Sequence, residues 1–294
     1  MRILITGANG QVGRSLQEQL QQHPAADLLA LTRQTLDITK RDAVAETVLS
    51  FRPDILINAA AHTAVDQAES EPELAAAVNE HGARHLAEAA HAAGTAMLHL
   101  STDYVFDGQS GAPYRETHPT APQSVYGRTK LAGEAAVSAA CPHSVIVRTA
   151  WVFGEHGRNF VKTMLRLGKE RSTLGIVADQ YGAPTYAGDI AAALIRIAGQ
   201  LAAGQTDAYG LYHFSGSPYA SWYEFAAEIF AQAKKQGLLP RMPALQPIAT
   251  ADYPTPARRP ADSRLHTGKI QAAFGIAPSD WRAALADLRP YCQP

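Results

Sequence analysis

Two side chains that could move a proton stand four residues apart, at Tyr126 and Lys130. Residues with this spacing lie on one face of a helix, so the phenol and the ammonium can approach each other. A phenol with an ordinary pKa of about 10 is a weak acid at neutral pH, and an adjacent cation lowers that pKa by stabilising the phenolate. The pair therefore predicts acid–base chemistry, with Lys130 adjusting the pKa of Tyr126.

A second chemical pattern lies near residue 1, where an apolar run over residues 2–6 precedes a glycine-rich turn. Gly7, Gly10 and Gly13 have the spacing of a dinucleotide-binding turn between a strand and a helix. Gly7 can take a positive φ, Gly10 lets a pyrophosphate approach the backbone, and Gly13 lets the helix pack closely. The amino end of the helix then faces the phosphates.

These groups need a scaffold, and the first half of the chain alternates apolar strand-like runs with helical patterns. Strands are predicted at residues 2–6, 28–31, 54–58, 96–101 and 144–148, with a long alanine-rich helix over 73–93. The alternation predicts an α/β fold with a doubly wound parallel sheet of Rossmann type.

The domain boundaries follow from a change of texture near residue 150. Residues 1–150 are expected to form a dinucleotide-binding Rossmann domain, to which residues 186–214 return through a helix over 189–201 and a strand over 211–214. Residues 151–185 and 215–294 are expected to form a smaller C-terminal substrate-binding part, with a helix over 159–171.

Ligands collect outside the carboxyl ends of strands in an open parallel sheet. Residues 58–63, 101–104 and 149–151 follow predicted strands. The small residues of 58–63 allow close approach of the nicotinamide half of a cofactor, and residues 101–104 offer hydroxyl groups. The aromatic plane of Trp151 could form the wall of a sugar pocket. Strand capping would explain each segment alone, but their convergence with Tyr126 favours one site.

Composition excludes several classes of partner. With 26 basic and 27 acidic residues, the chain has a formal charge of -1 and no basic footprint for nucleic acid. Arg258 and Arg259 either bind a small phosphorylated ligand or lie in an exposed loop. Cys141 and Cys292 lack metal-type spacing, and no signal peptide or membrane span is evident, so a cytoplasmic protein is expected.

Longer sequence motifs occur at residues 58–66, 101–108, 126–134, 148–152, 179–185 and 256–265, and they narrow the choice among enzyme families. Together with the glycine turn and Tyr126-x-x-x-Lys130, they resemble the extended short-chain dehydrogenase/reductase superfamily, and within it the dTDP-4-dehydrorhamnose reductase family. The resemblance covers nearly the whole chain. It implies NADPH-dependent reduction of the C4 ketone of dTDP-4-dehydro-β-L-rhamnose, the last step of dTDP-L-rhamnose synthesis for cell-surface polysaccharide such as O antigen.

The resemblance also implies a role for each matching residue. Tyr126 would donate the proton to the C4 oxygen, Thr102 would hydrogen-bond that oxygen, and Lys130 would hold the nicotinamide ribose. Cofactor contacts are implied at Gly7, Gly10, Gln11, Val12, Gly13, Asp37, Ile38, Ala61, His62, Thr63, Tyr126 and Lys130. Substrate contacts are implied at Thr102, Asp103 and Trp151, while Asn79 is expected to support the site.

The choice of cofactor can be argued separately from the residues. NAD-selective sites often place an acidic residue just after the second strand, whereas here Thr32 and Arg33 stand there. An arginine favours a 2′-phosphate, so NADPH is predicted over NADH, although reductases of this family often accept both.

A metal site is not expected. Some bacterial relatives are described as metal-bridged dimers through glutamates, but the corresponding positions here hold Ser15 and Gly188, with Asp189 adjacent. A monomer or a homodimer without that bridge is therefore expected.

Three alternatives stay open. A nucleotide-sugar epimerase or dehydratase would use the same Tyr and Lys, but Tyr104 stands where dehydratases typically carry an acid. A non-catalytic protein resembling the regulatory subunit of methionine adenosyltransferase would not need Thr102, Tyr126 and Lys130 intact. A reductase of another nucleotide-linked 4-keto sugar is the alternative closest in chemistry.

Overall fold

A computed structural model describes residues 1–22, 27–205 and 207–292. The strands are β1 (Arg2–Thr6), β2 (Asp27–Leu31), β3 (Ile55–Asn58), β4 (Ala96–Thr102), β5 (Ser144–Thr149), β6 (Val152–Phe153), β7 (Thr173–Val177), β8 (Tyr181–Gly182), β9 (Thr185–Tyr186), β10 (Gly210–His213), β11 (Gly216–Ser217), β12 (Ala220–Ser221), β13 (Ala244–Ile248) and β14 (Ser279–Asp280). The α-helices are α1 (Gln11–Leu20), α2 (Arg41–Phe51), α3 (Val65–Ala68), α4 (Pro72–Ala76), α5 (Ala83–Ala92), α6 (Val125–Ala140), α7 (Phe160–Glu170), α8 (Ala187–Ala202), α9 (Trp222–Lys235), α10 (Gly268–Phe274) and α11 (Trp281–Ala284). A π-helical segment, Ala77–Gly82, joins α4 to α5, and 3₁₀ turns occur at Asp103–Val105, Thr250–Asp252 and Arg289–Cys292.

Six parallel strands form the central sheet in the order β10-β5-β4-β3-β1-β2. The inner strands consist largely of Ile, Leu and Val with both faces buried, as expected for a parallel sheet that helices cover on each side. The predicted α/β fold with a doubly wound parallel sheet is confirmed, and each of its six predicted strands begins and ends within one residue of the observed strand.

The two faces of the sheet bury separate apolar clusters. On one face, side chains of α1, α8 and α10 pack against alternate residues of the strands, including Ile3, Ile57 and Val147. On the other face, α2, α5 and α6 pack against Leu4, Leu56 and neighbouring residues. The strand order reverses between β1 and β3, which creates a crevice at the carboxyl ends of the strands.

A second core lies outside the sheet and is built around α7 and α9 with the pair β7–β13. Its buried aromatic residues include Phe153, Phe225 and Trp281, whose rings contact one another in tilted or edge-on arrangements. The proposed division of the chain into domains stays a prediction. Within the range assigned to the substrate part, α10 packs with the sheet, because Ile270 and Phe274 belong to the cluster that covers it.

Candidate active site

A cavity of about 810 Å³ opens along the carboxyl ends of the central strands. The glycine turn forms one part of its wall, and the segments after β3, β4 and β5 form another. The predicted residues that line it are Gly7, Gly10, Gln11, Val12, Arg33, Asp37, Ile38, Ala61, His62, Thr63, Thr102, Asp103, Tyr126, Lys130 and Trp151. One cavity thus brings together every predicted site residue except Gly13.

The glycine turn is shaped by close backbone contacts. Gly7 has φ +75, and a Cβ there would lie 2.5 Å from the backbone of Ala59. A Cβ on Gly13 would lie only 2.2 Å from the carbonyl oxygen of Gly7, which explains why Gly13 lies beneath the turn rather than on the cavity wall. Gly10 has more space around it, since a Cβ there would lie 3.2 Å from the same oxygen. The turn therefore depends on Gly7 and Gly13 for its shape, while Gly10 leaves space on the cavity side.

The loop after β2 brings a cation and an anion to the same end of the cavity. Arg33 is exposed, whereas Asp37 is half-enclosed by the loop and accepts hydrogen bonds from the Thr39 amide and hydroxyl at 3.0 and 2.8 Å. Burial raises the pKa of the Asp37 carboxyl, but the Thr39 bonds and the nearby Arg33 outweigh it and hold the pKa below its ordinary value. Asp37 is therefore an ionised acceptor.

The loop after β3 is held against α6 through the π-helical segment. Asn79 accepts from the His62 amide at 2.8 Å and donates to the His62 carbonyl oxygen at 3.2 Å. Its amide also donates to the Thr129 hydroxyl at 3.1 Å. The wide π turn is a common device for placing a side chain at a functional site. Asn79 thus ties the predicted nicotinamide loop to the helix that carries Tyr126.

Helix α6 brings Tyr126 and Lys130 to the cavity wall, as the four-residue spacing predicts. The helix begins after Ser124, whose side chain accepts from the Gly127 amide at 3.1 Å and caps the first turn. Both side chains are largely buried, and the Lys130 ammonium donates to the carbonyl oxygen of Leu100 at 2.6 Å.

The pKa values of this pair differ from expectation. Burial raises the pKa of the Tyr126 phenol well above its ordinary value, and a hydrogen bond with Thr102 offsets only part of that rise. Burial lowers the pKa of the Lys130 ammonium to about 8, against the opposing charge of Glu134. The prediction that Lys130 lowers the phenol pKa is wrong for the protein alone, because burial disfavours phenolate and Lys130 donates to Leu100 instead. Tyr126 is a neutral acid.

Thr102 and Asp103 lie beside this phenol on the cavity wall. In the protein alone, the Thr102 hydroxyl donates to Asp103 Oδ1 at 2.9 Å. Burial raises the pKa of Asp103 to about 6, although the bond from Thr102 and the nearby Ser263 hydroxyl oppose that change. Asp103 Oδ2 is buried with no hydrogen-bond partner. A buried oxygen without a partner is costly to ionise, in line with the raised pKa of this carboxyl.

A buried ion pair fixes α6 to the sheet beneath the site. Arg148 on β5 makes two hydrogen bonds to the Glu134 carboxylate, at 2.8 and 2.6 Å, and Ser101 donates to the same carboxylate. Such two-pronged pairs are directional, and removing one partner of a buried pair typically costs about 3–5 kcal/mol. The position of α6, and with it Tyr126, is set by the protein interior.

Trp151 has a strained backbone and a stacked ring. Its φ is +47, which is unusual for a residue other than glycine, and its indole stacks on Trp222 with ring centroids 3.5 Å apart. Gly182 leaves room for the indole, since a Cβ there would lie 2.3 Å from it. Trp151 is half-buried and lies on the cavity wall. Strain of this kind often marks a residue held in place for function.

The loop after β6 also lines the cavity, although nothing in the sequence pointed to it. Gly157 and Arg158 reach the cavity from the loop after β6. That loop is attached to α1 by an Asn159–Gln11 hydrogen bond of 3.1 Å and a contact of 2.8 Å between His156 Nε2 and the Glu18 carboxylate. These partners are distant in sequence, so no local pattern could have indicated the contact.

Other candidates lie apart from the cavity wall. The lining residues include neither Arg258 nor Arg259; Arg258 is exposed. Within residues 1–22, 27–205 and 207–292, no group of three or more His, Cys, Asp and Glu residues is arranged to hold a metal ion. None of the helices in these ranges is long and apolar enough to cross a membrane.

The family described as RmlD substrate binding domain matches residues 1–290. The chain belongs to this family. It is 53% identical over 292 residues to the dTDP-4-dehydrorhamnose reductase of Aggregatibacter actinomycetemcomitans, with 99% of each chain covered. Membership in the RmlD substrate binding domain family confirms the resemblance inferred from the motifs.

Solved structures of RmlD-type proteins share the whole fold. A dTDP-4-dehydrorhamnose reductase from Clostridium acetobutylicum is 40% identical, with a TM-score of 0.90 and 97% of both chains covered. The enzyme of the same name from Bacillus anthracis, solved in complex with NADP, is 40% identical with a TM-score of 0.88, covering 97% of this chain and 96% of that chain.

Proposed function

We propose that the protein is an NADPH-dependent reductase that converts dTDP-4-dehydro-β-L-rhamnose to dTDP-L-rhamnose by reducing the C4 ketone. The observation that carries this proposal is the neutral Tyr126 phenol, which lies with Thr102 and Lys130 on the wall of a cavity that starts at a glycine turn. Full-length similarity to enzymes named dTDP-4-dehydrorhamnose reductase supports the choice of substrate.

The residues of the cavity fit the binding of the dinucleotide. Gly7, Gly10 and the amino end of α1 would hold the pyrophosphate, where backbone N–H groups and the helix dipole favour an anion. Arg33 would meet the 2′-phosphate, and Lys130 would hydrogen-bond the nicotinamide ribose. Bound NADPH supplies the hydride for the reaction.

The chemistry of the protein itself is proton donation and charge stabilisation. Reduction of a ketone requires a proton at the oxygen as negative charge develops there. Tyr126 is suited to this task because burial keeps it protonated throughout the physiological pH range. Thr102, whose hydroxyl donates to Asp103 in the protein alone, would turn that proton towards the same oxygen and stabilise its negative charge. Asp103, on the same wall, would contact the sugar nucleotide.

Consumption of NADPH with enzymatically prepared dTDP-4-dehydrorhamnose tests the proposal. We expect turnover with this ketone and none with dTDP-glucose, which has no ketone to reduce. Turnover only with a different nucleotide-linked 4-keto sugar would overturn the substrate assignment. A protein that retains its dinucleotide and consumes none would instead be an epimerase or a dehydratase.

The preference for NADPH rests on Arg33 and is tested by comparing kcat/KM for NADPH and NADH. We expect Arg33→Ala to lower kcat/KM for NADPH by roughly tenfold or more, because a charge-assisted phosphate contact contributes about 1.5–3 kcal/mol. The value for NADH should change little. An equal loss with both cofactors would contradict a role in recognising the 2′-phosphate. The cytoplasmic location and the monomeric or homodimeric state stay predictions.

A further inference from the structure

Arg259 links two segments that border the active site. Its Nη1 donates to the hydroxyl of Tyr104 at 2.9 Å, and its Nη2 forms an ion pair with the Asp66 carboxylate. Asp66 lies in α3, directly after the loop predicted to meet the nicotinamide, and Tyr104 follows Thr102 and Asp103 at the end of β4. The planar guanidinium satisfies both partners at once, which a single ammonium could not do with the same geometry.

Tyr104 in turn supports the catalytic phenol. The rings of Tyr104 and Tyr126 meet edge to face, with centroids 5.5 Å apart and planes inclined at 76°. The backbones are also close, because a Cβ on Gly127 would lie 2.2 Å from the Tyr104 carbonyl oxygen. Tyr126 and Val125 belong to a small apolar cluster against which Tyr104 and Val65 pack. The Tyr104 ring therefore forms one wall of the position that Tyr126 occupies.

The contacts of Arg259 differ from those of its neighbour. Arg259 is half-buried, and Asp66 also accepts from the Ala257 amide at 3.2 Å, which attaches this segment to α3. Arg258 is exposed, and its contact with Gln123 is 3.4 Å long. Because Arg259 lies outside the cavity wall and its charge is matched by Asp66, it is poorly placed to bind a phosphate. Its geometry suits the orientation of Tyr104.

We propose that Arg259 is a positioning residue for the reduction, which acts through Tyr104 to hold the Tyr126 phenol in its productive orientation. This inference rests on the proposed function. With Arg259 fixed between Asp66 and Tyr104, the Tyr104 ring cannot rotate away from Tyr126. Without it, the phenol loses that wall, and small displacements of a reacting group lower the rate substantially.

Steady-state kinetics of Arg259→Met, with Arg258→Met as the matched control, separate positioning from ligand binding. We expect R259M to lower kcat roughly tenfold or more, since a displacement of 1 Å can cost about 10²-fold. The Kd for NADPH and the KM for the sugar nucleotide should stay within about twofold of the wild type, and R258M should behave as the wild type. A rise in KM with kcat unchanged would mean that Arg259 binds the substrate directly, and the inference would be wrong.

A double-mutant cycle tests whether the effect passes through Tyr104. Tyr104→Phe keeps the ring but removes the hydroxyl that accepts from Arg259. If Arg259 acts through that hydroxyl, the R259M/Y104F double variant should have a kcat no lower than that of the less active single variant. Losses in kcat that multiply would show independent roles and would overturn the proposed route.

An observation that does not use turnover keeps this inference separate from the proposed function. In protein with ¹³Cζ-labelled tyrosine, the Tyr126 resonance, assigned with Y126F, should shift or broaden in R259M and stay unchanged in R258M. An unchanged Tyr126 resonance in R259M would show that Arg259 does not position the phenol. Failure of the wild type to reduce the sugar nucleotide, with the resonance shift intact, would overturn the proposed function and leave the structural link in place.

Discussion

The glycine turn and the catalytic end of the cavity are built in opposite ways. At the turn, Gly7 and Gly13 allow backbone atoms to approach so closely that a Cβ would lie 2.2–2.5 Å from its neighbours. At the catalytic end, polar side chains are buried in a small volume, and Asp103 Oδ2 and Thr149 Oγ1 have no hydrogen-bond partner. The first region is defined by shape, and the second by buried polarity.

This contrast predicts different responses to substitution. Loss of shape at the turn should reduce dinucleotide binding and stability together, because the strained contacts lie within the protein. Loss of a polar group at the catalytic end should reduce the rate, and it can increase stability, because an unsatisfied buried group costs folding energy. Substitutions at the two ends can therefore test the comparison.

The largest effect is expected at the catalytic end from Tyr126→Phe. Removing the proposed proton donor should lower kcat by roughly 10²–10⁴-fold. NADPH affinity, measured by fluorescence titration, should stay nearly unchanged, since the ring and its packing are kept. Turnover close to that of the wild type would remove Tyr126 from its assigned role.

The next effect concerns stability and its dependence on pH. The Asp103 pKa rises from 3.8 to about 6 on folding, so the folded protein holds more protons between these values, and stability falls as pH rises through that range. Above pH 6 the full cost applies, up to about 3 kcal/mol.

Asp103→Asn cannot ionise and should escape that cost. Urea denaturation should therefore find D103N more stable than the wild type near neutral pH, with a difference that shrinks as the pH falls towards 4. A variant less stable than the wild type at neutral pH would show that the Asp103 carboxylate is stabilised in the fold, contrary to its buried, unpaired oxygen.

A smaller effect is expected at the turn from Gly13→Ala. Its Cβ would lie 2.2 Å from the Gly7 oxygen, so the turn must shift, at a cost of roughly 1–3 kcal/mol and with weaker NADPH binding. Gly10→Ala is the matched control, because its contact of 3.2 Å needs only a slight adjustment in the protein itself. Equal stability losses, measured by thermal unfolding, would argue that backbone crowding does not define this turn.

Much of the fold could be predicted because its signals are local. Strands such as β3 and β5 are buried on both faces, so they stand out as short apolar runs between polar turns. The turn at Gly7 was predictable because few residues other than glycine adopt a positive φ. The spacing of Tyr126 and Lys130 was equally informative, since helical periodicity fixes their shared face.

The features that were not predicted depend on distant contacts. The π-helical segment forms where Asn79 meets His62, and the stack of Trp151 on Trp222 joins residues far apart in sequence. The pKa of Tyr126 could not be inferred from its neighbour Lys130 alone, because burial by the whole fold outweighs one adjacent charge. Sequence spacing locates chemical groups, but it does not measure their exposure to water.

The course of the chain between the two cores has a consequence for how the molecule unfolds. Side chains of 153–176, 220–239 and 281–291 fill the second core, whereas those of 187–201, 208–214 and 270–276 pack on the sheet. Because the chain passes several times between the two cores, unfolding of one core pulls covalently connected segments out of the other. We expect both cores to unfold in a single cooperative transition. Cleavage of the chain before residue 268 should leave neither fragment able to fold on its own.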